Sequence, residues 1–402
     1  MLKLLVIAPT CDGDDVGEAW VAHRWVSGLA RRHDVTLLTY HKAGSRPASE
    51  QLEGLHVVEW PEPPGFARTE RLNSMLKPAY IPFYIRARRW IRAALARGER
   101  FDLAYQPVPV AMRYPCPAAG LGIPLVVGPV GGSLESPPGF VTEEGSAPWY
   151  VGLRSLDRRR LRVDPLLRRT YEGAALVVGI APYVEEHLSG LAIHRFASMS
   201  ETALVSVPPL PARRPDGGTV KLLHVGRTVR TKGLRDTIRA VDRLAHLPVS
   251  LDVIGDGPDL GACTALVSEL GLAARVRFHG HQPRHLVDGF YQAADVFVFP
   301  SYREPGGNVA FEAMGHGLPL VVCDRGGPGN VVDETCGFRV PARTPDQLAK
   351  DVSSAVTRLV DDPALRRSMG VAAHDLVQRR HLWERRIDQM DAQFTETLER
   401  LS

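Results

Sequence analysis

The sequence SYREPGGNVAFEAMGHGLPLVV, residues 301–322, leaves a strand, crosses a loop and enters a helix before a second apolar run. It carries two glutamates: Glu304 lies in the Pro-Gly-Gly loop, and Glu312 lies one turn into the predicted helix. Strand, loop and helix in this order build a parallel sheet, and ligands bind where the strands of such a sheet end. The stretch therefore predicts a ligand site with one carboxylate in the loop and a second on the helix.

The same alternation extends in both directions from this stretch. The segment VSVPPLPARRPDGGT, residues 205–219, interrupts it with prolines and glycines, as is typical of a linker. The sequence therefore predicts an α/β protein in which two Rossmann-like βαβ domains face each other across a cleft. Strands are predicted at 3–9, 34–40, 55–60, 103–108, 124–130, 175–180, 220–226, 249–255, 275–280, 295–301 and 318–324.

Length and composition agree with two globular domains. The chain has 402 residues, of which 44% are hydrophobic and 23% are charged, and domains commonly hold roughly 150–200 residues. The apolar run in MLKLLVIAPT is shorter than the core of a signal peptide, and no run reaches the roughly 18 apolar residues of a spanning helix. The five cysteines show no C-x-x-C pairing, which favours free thiols. We therefore expect a cytoplasmic protein.

The small positive charge is confined to the first half of the chain. Residues 1–200 hold 24 basic and 20 acidic residues, whereas residues 201–402 hold 25 of each. Basic residues cluster at 84–100 and 154–169 and could face an acidic membrane surface or an anionic acceptor, although a solvated helix face gives the same pattern. We expect no nucleic-acid partner, and peripheral contact with the inner membrane surface stays open.

A cationic loop follows the predicted strand at 220–226. In HVGRTVRTKGL, Gly226 lets the chain leave the strand tightly, and Arg227 and Lys232 stand five positions apart before a predicted helix. Backbone N–H groups and the dipole at a helix N-terminus attract anions, so this loop predicts a diphosphate site. Two surface cations on an ordinary loop would give the same pattern.

The next two strand ends add candidates for the same site. In VIGDGPDL, Gly255, Asp256 and Gly257 form a turn whose glycines could let backbone approach a ligand, or it could be a plain turn between strand and helix. His281 follows the next strand, where a base would fall if a diphosphate occupied the cationic loop.

The opening stretch completes the candidate site. Gly306 and Gly307 leave backbone N–H groups free to bind an anion, and Asn308 is a plausible N-cap of the helix. Glu312 is placed to hold two vicinal ribose hydroxyls, as acidic residues do in βα crevices. Glu304 would then meet sugar hydroxyls or a developing oxocarbenium ion.

In this order, Gly226-Arg227, Lys232-Gly233, the turn at 255–258, ADVFVFPS and the two glutamates with EAMGHGLPLVV resemble glycosyltransferase family 4. The resemblance is strong over about 220–325, and it is weaker at GEAWVAHRWVSGLARRHDVTLLT and WERRIDQMDAQFTETLERL near the two ends. It implies the GT-B fold and a retaining, sugar-nucleotide-dependent enzyme. The predicted layout is an N-terminal acceptor domain at 1–204, the linker at 205–219, a donor domain at 220–380 and a helix at 381–402 that returns to the N-terminal domain.

The resemblance also implies roles for individual residues. Arg227 and Lys232 would bind the donor diphosphate and stabilise the leaving group, while Glu304 would contact the donor sugar and Glu312 the ribose. Many members carry a histidine in the loop that here reads GPVGGSLESP and has none. The remaining donor-side candidates are Gly226, Gly255, Asp256, Gly257, His281, Pro305, Gly306, Gly307, Asn308 and Val309, and the candidates on the acceptor and phosphate side are Gly17, Gly131 and Gly132.

The function that the resemblance implies is transfer of a sugar from a UDP- or GDP-sugar to an acceptor hydroxyl on a bacterial secondary metabolite or a cell-envelope glycan or lipid. We expect no cofactor or metal, although the Asp-Gly-Asp triplet at 12–14 formally matches a metal motif. A sugar-nucleotide epimerase of similar fold and a catalytically silent, sugar-nucleotide-binding partner subunit stay open as alternatives. A nicotinamide-dependent dehydrogenase is disfavoured because no G-x-G-x-x-G follows strand 3–9 or strand 220–226.

Overall fold

The computed structural model describes residues 1–63, 77–143, 155–210 and 218–401. These residues form two compact units. The N-terminal unit contains the described residues of 1–133, 149–202 and 383–402, and the C-terminal unit contains those of 134–148 and 203–382. Part of the predicted linker, 211–217, lies outside the described residues.

The strands follow the predicted order closely. Within the described residues they are β1 (Lys3–Thr10), β2 (Asp34–His41), β3 (His56–Pro61), β4 (Leu103–Gln106), β5 (Leu125–Val130), β6 (Leu176–Gly179), β7 (Phe196–Ser198), β8 (Val220–Val225), β9 (Val249–Ile254), β10 (Val276–Phe278), β11 (Val296–Phe299), β12 (Leu320–Cys323) and β13 (Gly337–Val340). Every strand predicted from the sequence is present, and β7 and β13 are additional.

The α-helices of the described residues connect these strands. They are α1 (Glu18–Ala30), α2 (Ala48–Gln51), α3 (Tyr80–Ala96), α4 (Ser155–Val163), α5 (Pro165–Glu172), α6 (Tyr183–His187), α7 (Leu234–Arg243), α8 (Leu260–Glu269), α9 (Arg284–Ala293), α10 (Asn308–Gly315), α11 (Gly326–Val331), α12 (Pro345–Asp361), α13 (Pro363–Arg380) and α14 (Trp383–Glu399). In the described part of the chain, no helix combines the length and apolarity that crossing a membrane requires.

The N-terminal unit is built on a parallel sheet with the strand order β3-β2-β1-β4-β5-β6-β7. The middle of β1 and all of β5 are buried, because helices cover both faces of such a sheet. The final helix α14 belongs to this unit and packs on α1, where a Cβ at Gly28 would lie 2.5 Å from the Ile387 side chain. The Trp25 and Trp383 rings meet edge to face beside this contact, 5.4 Å between centroids.

The C-terminal unit is built on a second parallel sheet with the order β10-β9-β8-β11-β12-β13. Strands β11 and β12 lie inside it and are buried along their whole length. This burial explains why they stand out in the sequence as continuous apolar runs. The predicted α/β architecture with two Rossmann-like parallel-sheet domains is therefore confirmed.

Two details differ from the sequence predictions. Residues 134–143 fold with the C-terminal unit, although the predicted boundary at 204 placed them in the N-terminal domain. The N-cap of α10 is Gly307, and Asn308 is the first helical residue. The chain enters this helix with a φ of 93° at residue 307, which glycine adopts without steric cost and asparagine does not.

Candidate functional site

The candidate site lies where the connections of the second sheet change direction. Strands β8 and β11 are neighbours, but the chain goes from β8 to β9 on one side and from β11 to β12 on the other. The loops that follow β8 and β11 therefore diverge and leave a crevice at the carboxyl edge, which is where open α/β sheets bind ligands. Residues 226–232, called the cationic loop below, follow β8, and residues 300–307 follow β11.

One residue from each loop meets its counterpart across this crevice. The Lys232 ammonium forms an ion pair with the Glu304 carboxylate, and both side chains are about four-fifths buried. Ser301 ties the two loops together a second time, since its hydroxyl donates to the Thr231 carbonyl at 3.0 Å. The structure therefore brings the predicted catalytic pair Lys232 and Glu304 together at the switch point of the sheet.

Arg227 is the first of the three cations of the cationic loop and is exposed. Among the described residues it has no salt-bridge partner within 4.0 Å, whereas the neighbouring Arg230 and Lys232 are both paired. The Val229 N–H donates to the Arg227 carbonyl at 2.9 Å, which turns the chain directly after the arginine. An anion in the crevice would therefore meet one cation without a partner in the described part of the chain, Arg227, and one cation shared with a carboxylate, Lys232.

The turn after β9 interlocks with the cationic loop. A Cβ at Gly255 would lie 1.9 Å from the Gly226 carbonyl oxygen, and a Cβ at Gly257 would lie 2.2 Å from the Thr228 carbonyl oxygen. The Thr228 N–H donates to the Asp256 carbonyl at 3.0 Å. Close packing between two loops therefore accounts for both glycines, and the Asp256 side chain stays exposed beside them.

His281 belongs to a third loop at the same edge. The Gly255 N–H donates to the Gly280 carbonyl at 2.8 Å, which places the loop after β10 next to the turn after β9. The His281 side chain is exposed, while His279 lies 2.7 Å from the Asp252 carboxylate. The loops that carry Gly226, Gly255 and His281 are thus neighbours at one edge of the sheet.

A glycine pair that was not predicted supports the loop of Glu304. The Gly327 N–H donates to the Glu304 carbonyl at 3.0 Å, and a Cβ at Gly327 would lie 1.7 Å from the Gly306 carbonyl oxygen. A Cβ at Gly326 would lie 2.1 Å from the Glu304 carbonyl oxygen. The signal was available in CDRGGPGN, a glycine-rich run directly after an apolar strand. Which loop these glycines contact, however, depends on the order of the strands in the sheet.

Glu312 lies on α10 and faces α9. Its carboxylate accepts a hydrogen bond from the Tyr291 hydroxyl at 3.1 Å and lies 3.3 Å from the Arg284 guanidinium. Burial raises the pKa of Glu312, and the positive charge of Arg284 and the hydrogen bond from Tyr291 offset this only in part. The side chain is therefore a desolvated acceptor with two donors already in place.

The other predicted residues of this stretch differ in exposure. Pro305 is half-buried, and Gly306 and Gly307 are buried, so their backbone is held in place. Asn308 is exposed at the start of α10, and Val309 packs against the core that contains Phe311 and Met314.

The acceptor-side glycines belong to the N-terminal unit. Gly17 is the N-cap of α1, and a Cβ there would have no neighbour within 4 Å among the described residues. Gly131 packs under Ile180, because a Cβ at 131 would lie 2.1 Å from that side chain. The Gly132 N–H donates to the Tyr183 hydroxyl at 3.2 Å. Gly17 and Gly132 leave open space beside the backbone, and Gly131 does not.

A histidine that was not predicted contacts the loop after β5. His187, on α6, lies with Nε2 2.8 Å from the Ser133 carbonyl oxygen and Nδ1 3.1 Å from the Tyr183 carbonyl oxygen. Both ring nitrogens thus face carbonyl oxygens, and the ring holds the loop in place.

The Asp-Gly-Asp triplet at 12–14 has a structural explanation. The Asp12 carboxylate accepts hydrogen bonds from the Asp14 N–H and from the Gln51 amide, both at 2.9 Å. Burial raises the pKa of Asp12, but these hydrogen bonds outweigh that effect and lower it below its ordinary value. The carboxylate therefore shapes the loop after β1.

Comparison with known sequences identifies both halves of the chain. The family model for glycosyl transferases group 1 matches residues 211–375, and the model for the glycosyl transferase 4-like domain matches residues 16–197. The lipopolysaccharide core biosynthesis glycosyltransferase LpsD of Rhizobium meliloti is 37% identical over 160 residues, 40% of this chain and 44% of LpsD. The 2-deoxystreptamine glucosyltransferase of Streptomyces kanamyceticus is 35% identical over 151 residues, 37% of this chain and 38% of that protein. The matched region thus spans less than half the length of these relatives.

Solved structures share the fold over the whole chain. Sucrose-phosphate synthase from Thermosynechococcus elongatus superposes with a TM-score of 0.64 at 21% identity and covers 100% of both chains. HepE from Anabaena, solved in complex with UDP-glucose, superposes with a TM-score of 0.60 at 17% identity and covers 99% of this chain and 100% of that one. At these identities the likeness shows the fold, and it confirms the GT-B architecture. With a family model matching each half, the chain belongs to the group 1 glycosyltransferases.

Proposed function

We propose that the protein is a retaining, metal-independent glycosyltransferase that moves a sugar from a nucleotide-sugar, with UDP- or GDP-sugars favoured, to an acceptor hydroxyl. The observation that carries the proposal is the meeting of Lys232 and Glu304 at the switch point, with exposed Arg227 in the same loop. The structure of HepE with UDP-glucose supports it, because that protein shares the fold and holds such a donor.

The proposed chemistry begins with the leaving nucleoside diphosphate. Negative charge builds up on its terminal phosphate as the glycosidic bond breaks, and Arg227 and Lys232 would stabilise that charge. Cations fixed in place before the reaction stabilise a transition state without reorganisation, which is the largest single contribution in many enzymes. Two cations on one loop provide the charge that a divalent metal would otherwise supply.

Lys232 has a competing partner before the donor arrives. In the structure the ammonium is paired with Glu304, so a diphosphate must share or displace that carboxylate. We propose that Glu304 then turns to the hydroxyls of the donor sugar, which lies next to the diphosphate. This exchange links sugar binding to release of Lys232 and favours the complete donor over the bare diphosphate.

The other end of the donor would be held by Glu312. A carboxylate accepts hydrogen bonds from two vicinal hydroxyls, and this one is already oriented by Tyr291. Burial raises the pKa of Glu312, so protonation at low pH would remove an acceptor for the ribose hydroxyls. The acceptor hydroxyl would attack on the face that the diphosphate leaves, and a phosphate oxygen of the donor would take its proton, which retains the configuration.

The proposed acceptor is amphipathic and belongs to a bacterial secondary metabolite or to the cell envelope. A cavity of about 540 Å³ in the N-terminal unit supports this class, because its lining combines Tyr80, Tyr84 and Tyr114 with Arg113 and Arg160. Aromatic rings would pack against an apolar or sugar portion, while the Arg113–Asp157 and Arg160–Asp164 ion pairs in the lining would meet its polar groups.

We also propose a cytoplasmic enzyme that contacts the inner membrane surface through α3. Ile81 and Ile85 on this helix are 68% and 43% exposed, and Arg89 and Arg92 are exposed beyond them. Apolar side chains next to arginines suit an anionic bilayer surface. Co-sedimentation with phosphatidylglycerol vesicles should exceed that with phosphatidylcholine vesicles and should fall in an Arg89→Glu/Arg92→Glu variant. Equal sedimentation with both lipids would refute the membrane proposal.

A donor screen followed by two variants tests the enzymatic proposal. Calorimetry with UDP-, GDP- and dTDP-sugars should identify one donor that binds, and this donor should be turned over with an acceptor. Arg227→Ala should then lower kcat by roughly 100- to 1000-fold, the usual loss for one oxyanion donor. Glu304→Ala should lower kcat as well. Arg243→Ala is the control, because Arg243 pairs with Asp346 on the surface. Unchanged turnover in both site variants would refute the assignment.

A further inference from the structure

The cationic loop is held by a segment from the first half of the chain. Residues 134–143, called the strap below, lie one residue beyond Gly131 and Gly132 in sequence but fold with the C-terminal unit. The strap ends in a 3₁₀ turn, Pro138–Glu143, that approaches Arg343 so closely that a Cβ at Gly139 would lie 2.1 Å from the Arg343 carbonyl oxygen. This fit leaves little freedom for the position of the turn.

The turn places two side chains against Arg230 of the cationic loop. Phe140 is fully buried and packs against Tyr302 with the two rings tilted by 32°, 4.2 Å between ring centroids. The Arg230 guanidinium lies 5.4 Å from the Phe140 ring and 5.5 Å from the Tyr302 ring. Glu143 accepts a hydrogen bond from Arg230 Nε at 3.0 Å.

Charge balance makes Glu143 necessary. The Arg230 side chain is only 4% exposed and also donates two hydrogen bonds to Asp236, at 2.6 and 3.0 Å. Arg239 bridges both carboxylates, at 3.1 Å from Glu143 and 3.3 Å from Asp236. Two cations and two carboxylates form this cluster, so loss of the Glu143 charge leaves an excess positive charge on a buried arginine.

Arg230 lies between the two residues proposed to bind the diphosphate. It is three positions after Arg227 and two before Lys232, and the Gly233 N–H donates to its carbonyl at 3.2 Å. Its own side chain is turned into the core and is occupied by carboxylates, so it is not a third phosphate ligand. Fixing Arg230 therefore also fixes the backbone on either side of it, and with it the positions of Arg227 and Lys232.

We propose that the strap holds the cationic loop in its binding conformation, with Phe140, Glu143 and Arg230 as positioning residues for the donor diphosphate. The effect on donor binding rests on the proposed function, whereas the ordering of the cationic loop by the strap does not. A displacement of about 1 Å in a positioned group can cost roughly 100-fold in rate. Greater mobility of Arg230 would therefore displace Arg227 and Lys232, although Arg230 itself does not contact the ligand.

Two readouts on a Glu143→Gln variant test the proposal. Hydrogen–deuterium exchange without ligand should be about tenfold faster at residues 226–233 than in the wild type, since a charged hydrogen bond that holds them is lost. Exchange at β9 should not change. UDP, or GDP if that is the base bound, should bind about tenfold more weakly, while the matching nucleoside binds as before.

Matched variants separate positioning from general stability. Asp346→Asn removes the carboxylate of the exposed ion pair between Arg243 and Asp346 in the same unit, and it should change neither readout. Phe140→Leu, which keeps the core apolar, should repeat the Glu143→Gln result in milder form. Faster exchange without any nucleotide binding to the wild type would support the strap and refute the proposed function. Unchanged exchange at 226–233 in both strap variants would overturn the strap.

Discussion

Gly255→Ala tests whether the interlocked loops form the donor site. The added Cβ would lie 1.9 Å from the Gly226 carbonyl oxygen, although such contacts essentially never fall below 3.0 Å. The Gly226 peptide must therefore move by about 1 Å or more, and it directly precedes Arg227. The variant thus displaces a proposed phosphate ligand without altering any side chain that would touch the donor.

The magnitude follows from two separate costs. Residue 255 has a φ of 134°, a conformation that residues with a Cβ rarely adopt, and such strain costs about 1–3 kcal/mol. Forcing an extra carbon into a packed contact costs about 1–3 kcal/mol more. The free energy of unfolding should therefore fall by about 2–6 kcal/mol, and UDP should bind roughly 10- to 100-fold more weakly because the cationic loop is misplaced.

Gly261→Ala is the matched control, six residues further along the chain. A Cβ at Gly261, in the first turn of α8, would have no neighbour within 4 Å among the described residues. Alanine in a helix is commonly more stable than glycine by about 0.5–1 kcal/mol. Urea denaturation gives the stabilities and calorimetry gives the UDP affinities. If the Gly255→Ala variant had the free energy of unfolding and the UDP affinity of the wild type, the proposed interlock of the two loops would be refuted.

Three further predictions concern ionisation and packing. UDP affinity should fall on acidification, because burial raises the pKa of Glu312 and the protonated carboxyl is a poorer hydrogen-bond acceptor. Glu312→Gln should bind UDP weakly at every pH in calorimetry. Burial lowers the pKa of His224 to about 4, so the folded state binds fewer protons than the unfolded chain. The free energy of unfolding should therefore fall by up to about 3 kcal/mol as pH drops from about 6.5 to about 4, and His224→Gln should flatten this slope in urea titrations. Ile387→Ala should lower the free energy of unfolding by about 2–5 kcal/mol in the same assay, since Ile387 packs against Gly28.

The sheets could be predicted from sequence because their central strands are buried on both faces. Strands such as β11 and β12 are continuous apolar runs, and parallel pairing then places the ends of neighbouring strands at one edge. Strands β7 and β13, with the sequences FAS and GFRV, lack the continuous apolar runs of β11 and β12 and do not stand out. Lys232 and Glu304 could be singled out for the same reason, since each lies in the loop that follows such a run.

The remaining parts of the site depend on contacts between segments distant in sequence. Arg230 is one of several basic residues in RTVRTK, and nothing local shows that it alone points into the core. Its partners are Asp236, six residues later, and Glu143, 87 residues earlier. Gly255 and Gly327 likewise pack closely against carbonyl groups of other loops. Sequence patterns report burial and local turns, but they do not report which loops touch.

Calorimetric titration of the wild type and a Lys232→Ala variant with UDP and GDP, each beside its own nucleoside, tests the central claim most directly. Loss of a charged hydrogen bond costs about 1.5–3 kcal/mol, so the diphosphate that binds should bind roughly 10- to 100-fold more weakly to the variant. The matching nucleoside should bind both proteins equally, because Lys232 would contact only phosphate. A diphosphate that binds both proteins with the same affinity would contradict the placement of the donor at the switch point.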